Sequence, residues 1–254
     1  MSNLKLKLRY IRHPYLIWRA VIKHYEWMFS KCVRVGEYEK YTYSMENGSR
    51  RLLGVDANRI RDLKAQFYSK ELCKRVYEAR ELLGRFRGGM GKDACTFLYI
   101  LCRILRPRIA VETGVASGFS SASILQALED DQAGEHYSID LHCREGKGLT
   151  IPVGKELGWV IPEHLKHRWR LILGESFRVL PRLFKELVTI DIFLHDSRHT
   201  YRTMMKEYTI VWPYLHRGAL LLSHDVEFND AYLDFCDKVG YTPVVISGIG
   251  AIVK

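Results

Sequence analysis

The sequence reads as an α/β protein: a mostly parallel sheet with helices on both faces, closed by an antiparallel final strand and preceded by a helical extension. Three observations carry this reading. From Ile109 onward, short apolar runs alternate with stretches of helical periodicity, the pattern of parallel strand-helix-strand units. Residues 111–121, VETGVASGFSS, put an acidic residue at a strand end and turn through Gly114 and Gly118 into a helix, which is how such a sheet opens a pocket. Near the C-terminus, the apolar runs TPVVIS and GAIVK flank only Gly248 and Ile249, and so short a loop joins antiparallel strands.

The elements follow in order. Residues 1–83 read as the helical extension, with 60–83 its clearest helix and ENGSRRLLG at 46–54 a turn-rich patch. Within it, residues 14–32 mix Tyr15, Leu16, Trp18 and Trp27 with Arg19, Lys23 and Lys31. Such a stretch suits peripheral contact with a membrane surface, or packing on its own domain or a second copy in a homo-oligomer. The second unit, 84–254, starts with a glycine-rich loop at 84–93 that is either a connector or a mobile cover carrying Arg85 and Arg87. After the helix TFLYILCRIL come strands at IAVET, YSIDL, RLILG, IDIFLHD and GALLLSHD, then the closing pair, seven in all. Helices fit between them at SASILQAL, SFRVLPRLFKEL, TYRTMMKEYTIVWPYL and NDAYLDFCDKVG. Residues 143–169 form an irregular insertion with two prolines.

Composition bounds the class. The chain has 254 residues, 47% hydrophobic and 27% charged, enough for one α/β domain with an extension. Its six cysteines show no CxxC spacing, which argues against a zinc site or a disulfide framework and makes a cytoplasmic setting the default. No run of eighteen apolar residues supports a membrane span. The net charge of +10 is uneven: residues 1–108 hold 24 Lys and Arg against 10 Asp and Glu, and residues 109–254 hold 15 against 19. A basic front half could meet nucleic acid, but no RNP-like or zinc-ribbon pattern accompanies it, so nucleic acid is the less favoured partner.

In open sheets of this kind the ligand lies outside the carboxyl ends of the strands. Those ends carry Glu112, Asp140, Gly174 with Glu175 and Ser176, Asp196, and His224 with Asp225. The glycine pattern is GxxxG and lacks both the GxGxxG of dinucleotide folds and the Lys-Ser/Thr pair of a P-loop. A carboxylate at Glu112 facing the loop would repel a pyrophosphate but suit a cationic ligand, and adenosylmethionine carries ammonium and sulfonium charges. Asp140, at the end of the second strand, can accept both hydroxyls of a ribose. Asp196, His224 and Asp225 end neighbouring strands and could hold a divalent ion; the carboxylates suit Mg²⁺, and the imidazole shifts the preference toward Mn²⁺. His199, three residues after Asp196, can face the same pocket and act as a general base near neutral pH.

The run VETGVASGFSSASILQALE, with YSIDL, IPEHLKHRWRLILGES, IDIFLHDSRHTY and GALLLSHDV, resembles the class I adenosylmethionine-dependent methyltransferases, a Rossmann-like fold. The resemblance is to the subgroup of rhamnosyl O-methyltransferase and cephalosporin hydroxylase-like proteins, and it covers residues 84–254. Metal-dependent O-methyltransferases of catechols and macrolide sugars are similar in plan. The resemblance implies Glu112, Gly114 and Ser120 near the methionine end of the cofactor, Asp140 on the ribose and Ser176 near the adenine. It also maps the strand-four metal ligand to Asp196, the base to His199 and the strand-five pair to His224 and Asp225. His224 departs from the acid or amide usual in the relatives. The expected function is therefore transfer of a methyl group to a hydroxyl of a small molecule or sugar, with Asp196 and His199 catalytic. The alternatives are a nucleic-acid-directed methyltransferase and a non-catalytic, membrane-docked protein that keeps the fold.

Overall fold

The computed structural model describes residues 34–83, 89–141, 151–152 and 154–254. The stretch 14–32, Arg85, Arg87 and the first part of the insertion lie outside the described residues. Strands β1 (Ile109–Thr113), β2 (Glu135–Asp140), β3 (Trp169–Leu173), β4 (Ile190–His195), β5 (Leu215–His224), β6 (Val244–Ile246) and β7 (Ile249–Val253) form one sheet. Their order is β3-β2-β1-β4-β5-β7-β6. The first five run parallel, while β7 pairs antiparallel with both β5 and β6. The strand order reverses between β1 and β4, and a ligand crevice opens at such a switch point.

The closing hairpin is present, with its turn one residue earlier than expected. Ser247 and Gly248 both have positive φ, 52° and 79°, as a two-residue turn matched to strand twist requires. Ile249 therefore already belongs to β7.

Described helices cover both sheet faces. Helix α1 (Val35–Tyr41) places Tyr38 in the second of the two cores. On one face lie α2 (Met45–Leu53), α3 (Ala57–Ser69), α4 (Glu71–Leu83), α5 (Lys92–Leu105) and α6 (Phe119–Asp130), which bury Met45, Ile60, Phe67, Phe97 and Leu125 against Ile192 and Leu220. On the other lie α7 (Ser176–Leu187), α8 (Tyr201–Val211) and α9 (Ala231–Val239), which bury Phe184, Tyr208 and Phe235 against Val111, Phe193 and Leu221. Successive strand residues face opposite layers, so Ile192 and Phe193 enter different cores. Helices α2 to α4 share the first core with α5 and α6, and the Tyr43 N–H donates to the carbonyl of Val245 in β6 at 2.9 Å.

The turn-rich patch at 46–54 is helix α2. Ser44 caps it by accepting from the Asn47 N–H, and Gly54 ends it in the left-handed conformation at φ 68°. Gly48 there is a contact glycine, because a Cβ would fall 2.3 Å from Cδ1 of Ile246. The continuous helix expected over 60–83 is two helices, interrupted at Lys70, whose backbone is extended.

Candidate active site

The turn after β1 fixes the floor of the site. Gly114 has φ +89°, and a Cβ on it would lie 2.1 Å from the Asp196 carbonyl oxygen, so the ends of β1 and β4 approach each other only with glycine here. The Asp196 N–H donates to the Thr113 carbonyl at 2.8 Å and extends the ladder past both strands. Two hollows share Gly114, Ala116, Asp196 and Ser197 as a common wall. One, about 440 Å³, runs along Asp140, Leu141, Ser176 and Phe177. The other, about 660 Å³, runs along Met90, Phe119, Ser120, His199, His224, Asp225 and Phe228.

Asp140 ends β2 at the rim of the smaller hollow. Its Oδ2 accepts the N–H groups of Val115 and Ala116 at 2.7 and 3.0 Å, and its Oδ1 accepts that of Leu141 at 2.6 Å. A carboxylate offers about four lone-pair positions, so Asp140 both shapes the glycine turn and keeps acceptor capacity toward the hollow. Ser176 begins α7 and Ser120 lies in the first turn of α6, each on the wall of one hollow.

Glu112 does not face the loop. It is fully buried on the α6 side of the sheet, where its Oε1 accepts from Ser138 at 2.7 Å and from Ser121, with His136 Nε2 at 3.1 Å. Burial alone would raise its pKa, but His136 and the two hydroxyls hold it below the ordinary glutamate range. Alternation along β1 explains the outcome: a one-residue step in the strand selects the other face. Gly118 is likewise a packing glycine. At φ +88° it begins α6, and a Cβ would stand 2.7 Å from the Cα of Gly158. Neither residue lines the two hollows.

At the ends of β4 and β5 the structure gathers Asp196, His199, His224 and Asp225. His224 Nδ1 is 2.9 Å from Asp196 Oδ1, and its Nε2 is 3.5 Å from Asp225 Oδ1. His199 Nε2 is 3.7 Å from Asp196 Oδ1 and 3.7 Å from Asp225 Oδ2. Asp225 reaches this position through a left-handed backbone, φ 52°, that ends β5. The two imidazoles part in basicity. Burial lowers His199, and its histidine neighbours add to that against Asp196 and Asp225, leaving it below the ordinary value. Burial also lowers His224, but its hydrogen bond and charge contact with Asp196 outweigh it and leave its pKa raised.

Among the described residues, Asp196, His199 and His224 can each aim one ligand atom at a common point, those atoms lying within 4.8 Å of one another. With Asp225 beside them the donor set is two carboxylates and two imidazoles. That chemistry fits a borderline divalent ion such as Mn²⁺ better than Mg²⁺, which favours oxygen throughout.

Glu207 on α8 is the site residue that motif reading passes over. It is fully buried and accepts four hydrogen bonds, from Thr113, Ser176, Ser197 and His195. Burial alone would raise its pKa; His195 and the hydroxyl donors keep it lowered. The signal in the sequence was an acid on the apolar stripe of a helix, at helical spacing from Met204 and Val211. His195, the last residue of β4, is fully buried.

Residues 111–226, from β1 to the turn after β5, match a family model described as a methyltransferase domain. No protein of curated function matches the chain in sequence. Three solved structures share its fold. TomG, an O-methyltransferase of Streptomyces achromogenes involved in tomaymycin synthesis and solved in complex with SAM, aligns with a TM-score of 0.55 and 16% identity over 76% of this chain and 96% of its own. The SAH-complexed O-methyltransferase of Bacillus cereus aligns with a TM-score of 0.52 and 13% identity over 85% of this chain and 99% of its own. The SAH-bound methyltransferase PaMTH1 of Podospora anserina aligns with a TM-score of 0.53 and 14% identity over 73% and 88%.

Proposed function

We propose that this protein is an S-adenosylmethionine-dependent methyltransferase of the class I fold that methylates a hydroxyl group of a small molecule or sugar, with His199 as base and a divalent ion assisting. The observation that carries the reading is the Asp196–His199–His224–Asp225 cluster, which lines the larger hollow and whose Asp196 also walls the smaller one.

The smaller hollow suits the methyl donor. Asp140 can receive ribose hydroxyls, Leu141 and Phe177 offer apolar flanks for a purine, and Gly114 lets the backbone come close at the centre. Adenosylmethionine, when bound, supplies a methyl group on a sulfonium, ready for in-line displacement. The larger hollow suits the acceptor. Its apolar wall of Met90, Phe119 and Phe228 excludes water around the hydroxyl, and His199 is held neutral below its ordinary pKa, so Nε2 is free to take the proton. Holding both partners in line is the main catalytic contribution of such a site. Asp196, Asp225 and His224 would hold the divalent ion, which lowers the pKa of a bound hydroxyl, and His199 Nε2 is left for the proton.

The test is transfer of a labelled methyl group from adenosylmethionine to a panel of phenols, vicinal diols and sugars, read by mass spectrometry before and after EDTA. Methylated product that disappears with EDTA and returns with Mn²⁺ is expected. Product formation unchanged by EDTA overturns the metal, and methylation only at nitrogen or carbon overturns the acceptor class.

A further inference from the structure

The four hydrogen bonds of Glu207 divide by oxygen. Oε1 accepts from Ser176 and from Ser197, the latter at 2.9 Å. Oε2 accepts from Thr113 at 2.5 Å and faces His195 Nδ1 at 2.7 Å. An ionised carboxylate can only accept, so each hydroxyl that meets it must point its hydrogen inward. Ser176 and Ser197 both stand on the wall of the smaller hollow. With their hydrogens committed to Glu207, what they present to that hollow is lone pairs.

We propose that Glu207 is a specificity-determining positioning residue: it turns the Ser176 and Ser197 hydroxyls into obligate acceptors, so that the donor hollow selects a ligand bearing an amino group there. The proposal rests on the methyl-donor reading of this hollow. Ser176 lies beside Phe177, with Leu141 across the same hollow, the end suited to a purine ring. An exocyclic amine at that end meets an acceptor, whereas a ring carbonyl in its place sets lone pair against lone pair. Glu207 touches no ligand; it acts through the serines.

The test compares the affinity of S-adenosylhomocysteine with that of S-inosylhomocysteine, in which a carbonyl replaces the amine, by calorimetry on the full chain. In E207Q the amide nitrogen is expected on the Oε1 side. There the serines need only rotate, whereas on the other side it would force a proton onto His195 Nε2, a buried atom with no hydrogen-bond partner. The serines then accept from the amide and turn their hydrogens to the hollow.

Wild type is expected to prefer the adenosyl ligand by about 10-fold or more, the cost of one mismatched polar contact. Both E207Q and S176A are expected to bring the ratio within about 3-fold. A merely structural role for Glu207 would weaken both ligands together and leave the ratio in place. The proposal is overturned by a wild type that binds the two equally, or by a ratio that survives E207Q, even where S176A lowers it. Wild type that binds neither ligand overturns the methyl-donor reading itself, and that outcome is distinct from equal binding.

Discussion

His224 Nδ1 stands 2.9 Å from Asp196 Oδ1, a contact between the last turn of β5 and the end of β4 that ties the two strand ends into one polar cluster. The same Asp196 oxygen is 3.7 Å from His199 Nε2, so one carboxylate addresses both imidazoles. In the proposed function this would make Asp196 the organising ligand and His224 the residue whose loss separates metal binding from proton removal. In H224A, Mn²⁺ affinity is expected to fall about 10- to 100-fold, measured by titration, while adenosylhomocysteine affinity changes little. Unchanged Mn²⁺ binding would place the ion elsewhere.

Asp140 holds the turn through three backbone N–H groups, and in the proposed function its remaining acceptor capacity receives the donor. D140N keeps the shape but sets an amide against Val115 and Ala116 or against the ribose. Adenosylhomocysteine affinity is expected to drop about 10-fold or more in a calorimetric titration. An unaltered constant would remove Asp140 from the donor hollow.

Much of this was legible in the sequence, and the misses have definite causes. The alternation after Ile109, the closing hairpin and the strand-end positions of Asp140, Asp196, His224 and Asp225 follow from period and turn chemistry, which act locally. Glu112 and Gly118 were misread because a glycine turn needs both tight packing and ligand approach, and one-dimensional spacing does not say which glycine serves which. Asn47-Gly48 resembled a turn, yet Gly48 is there for Ile246, 198 positions later. Glu207 was missed since its partners come from β1, β4, α7 and the loop after β4, a meeting visible only in the folded chain.

Gly114 tests the floor of the site. G114A would strain a backbone at φ +89° and drive a Cβ against the Asp196 carbonyl. A loss of about 2–4 kcal/mol is expected, seen as a melting temperature lower by roughly 10 °C. A variant as stable as wild type would show that the strand ends are not held as closely as described.

Glu112 tests the buried network under α6. Its pKa is lowered on folding, so its contribution to stability is present above the unfolded glutamate value, about 4.3, and is lost as pH falls through the lower folded value. E112Q is expected to be less stable at neutral pH and to lose less of its stability on acidification than wild type, measured by denaturant unfolding at several pH values. Parallel pH profiles for the two would contradict the lowered pKa of Glu112.

The central claim is that His199 takes the acceptor proton, and H199A tests it most directly in the labelled methyl-transfer assay with Mn²⁺ present. The rate is expected to fall by more than about 10²-fold with adenosylhomocysteine binding intact. In wild type, activity should be lost only as pH falls through a value below that of an ordinary histidine, since the base works neutral and its pKa is lowered. An H199A variant that transfers methyl groups at the wild-type rate would contradict the account.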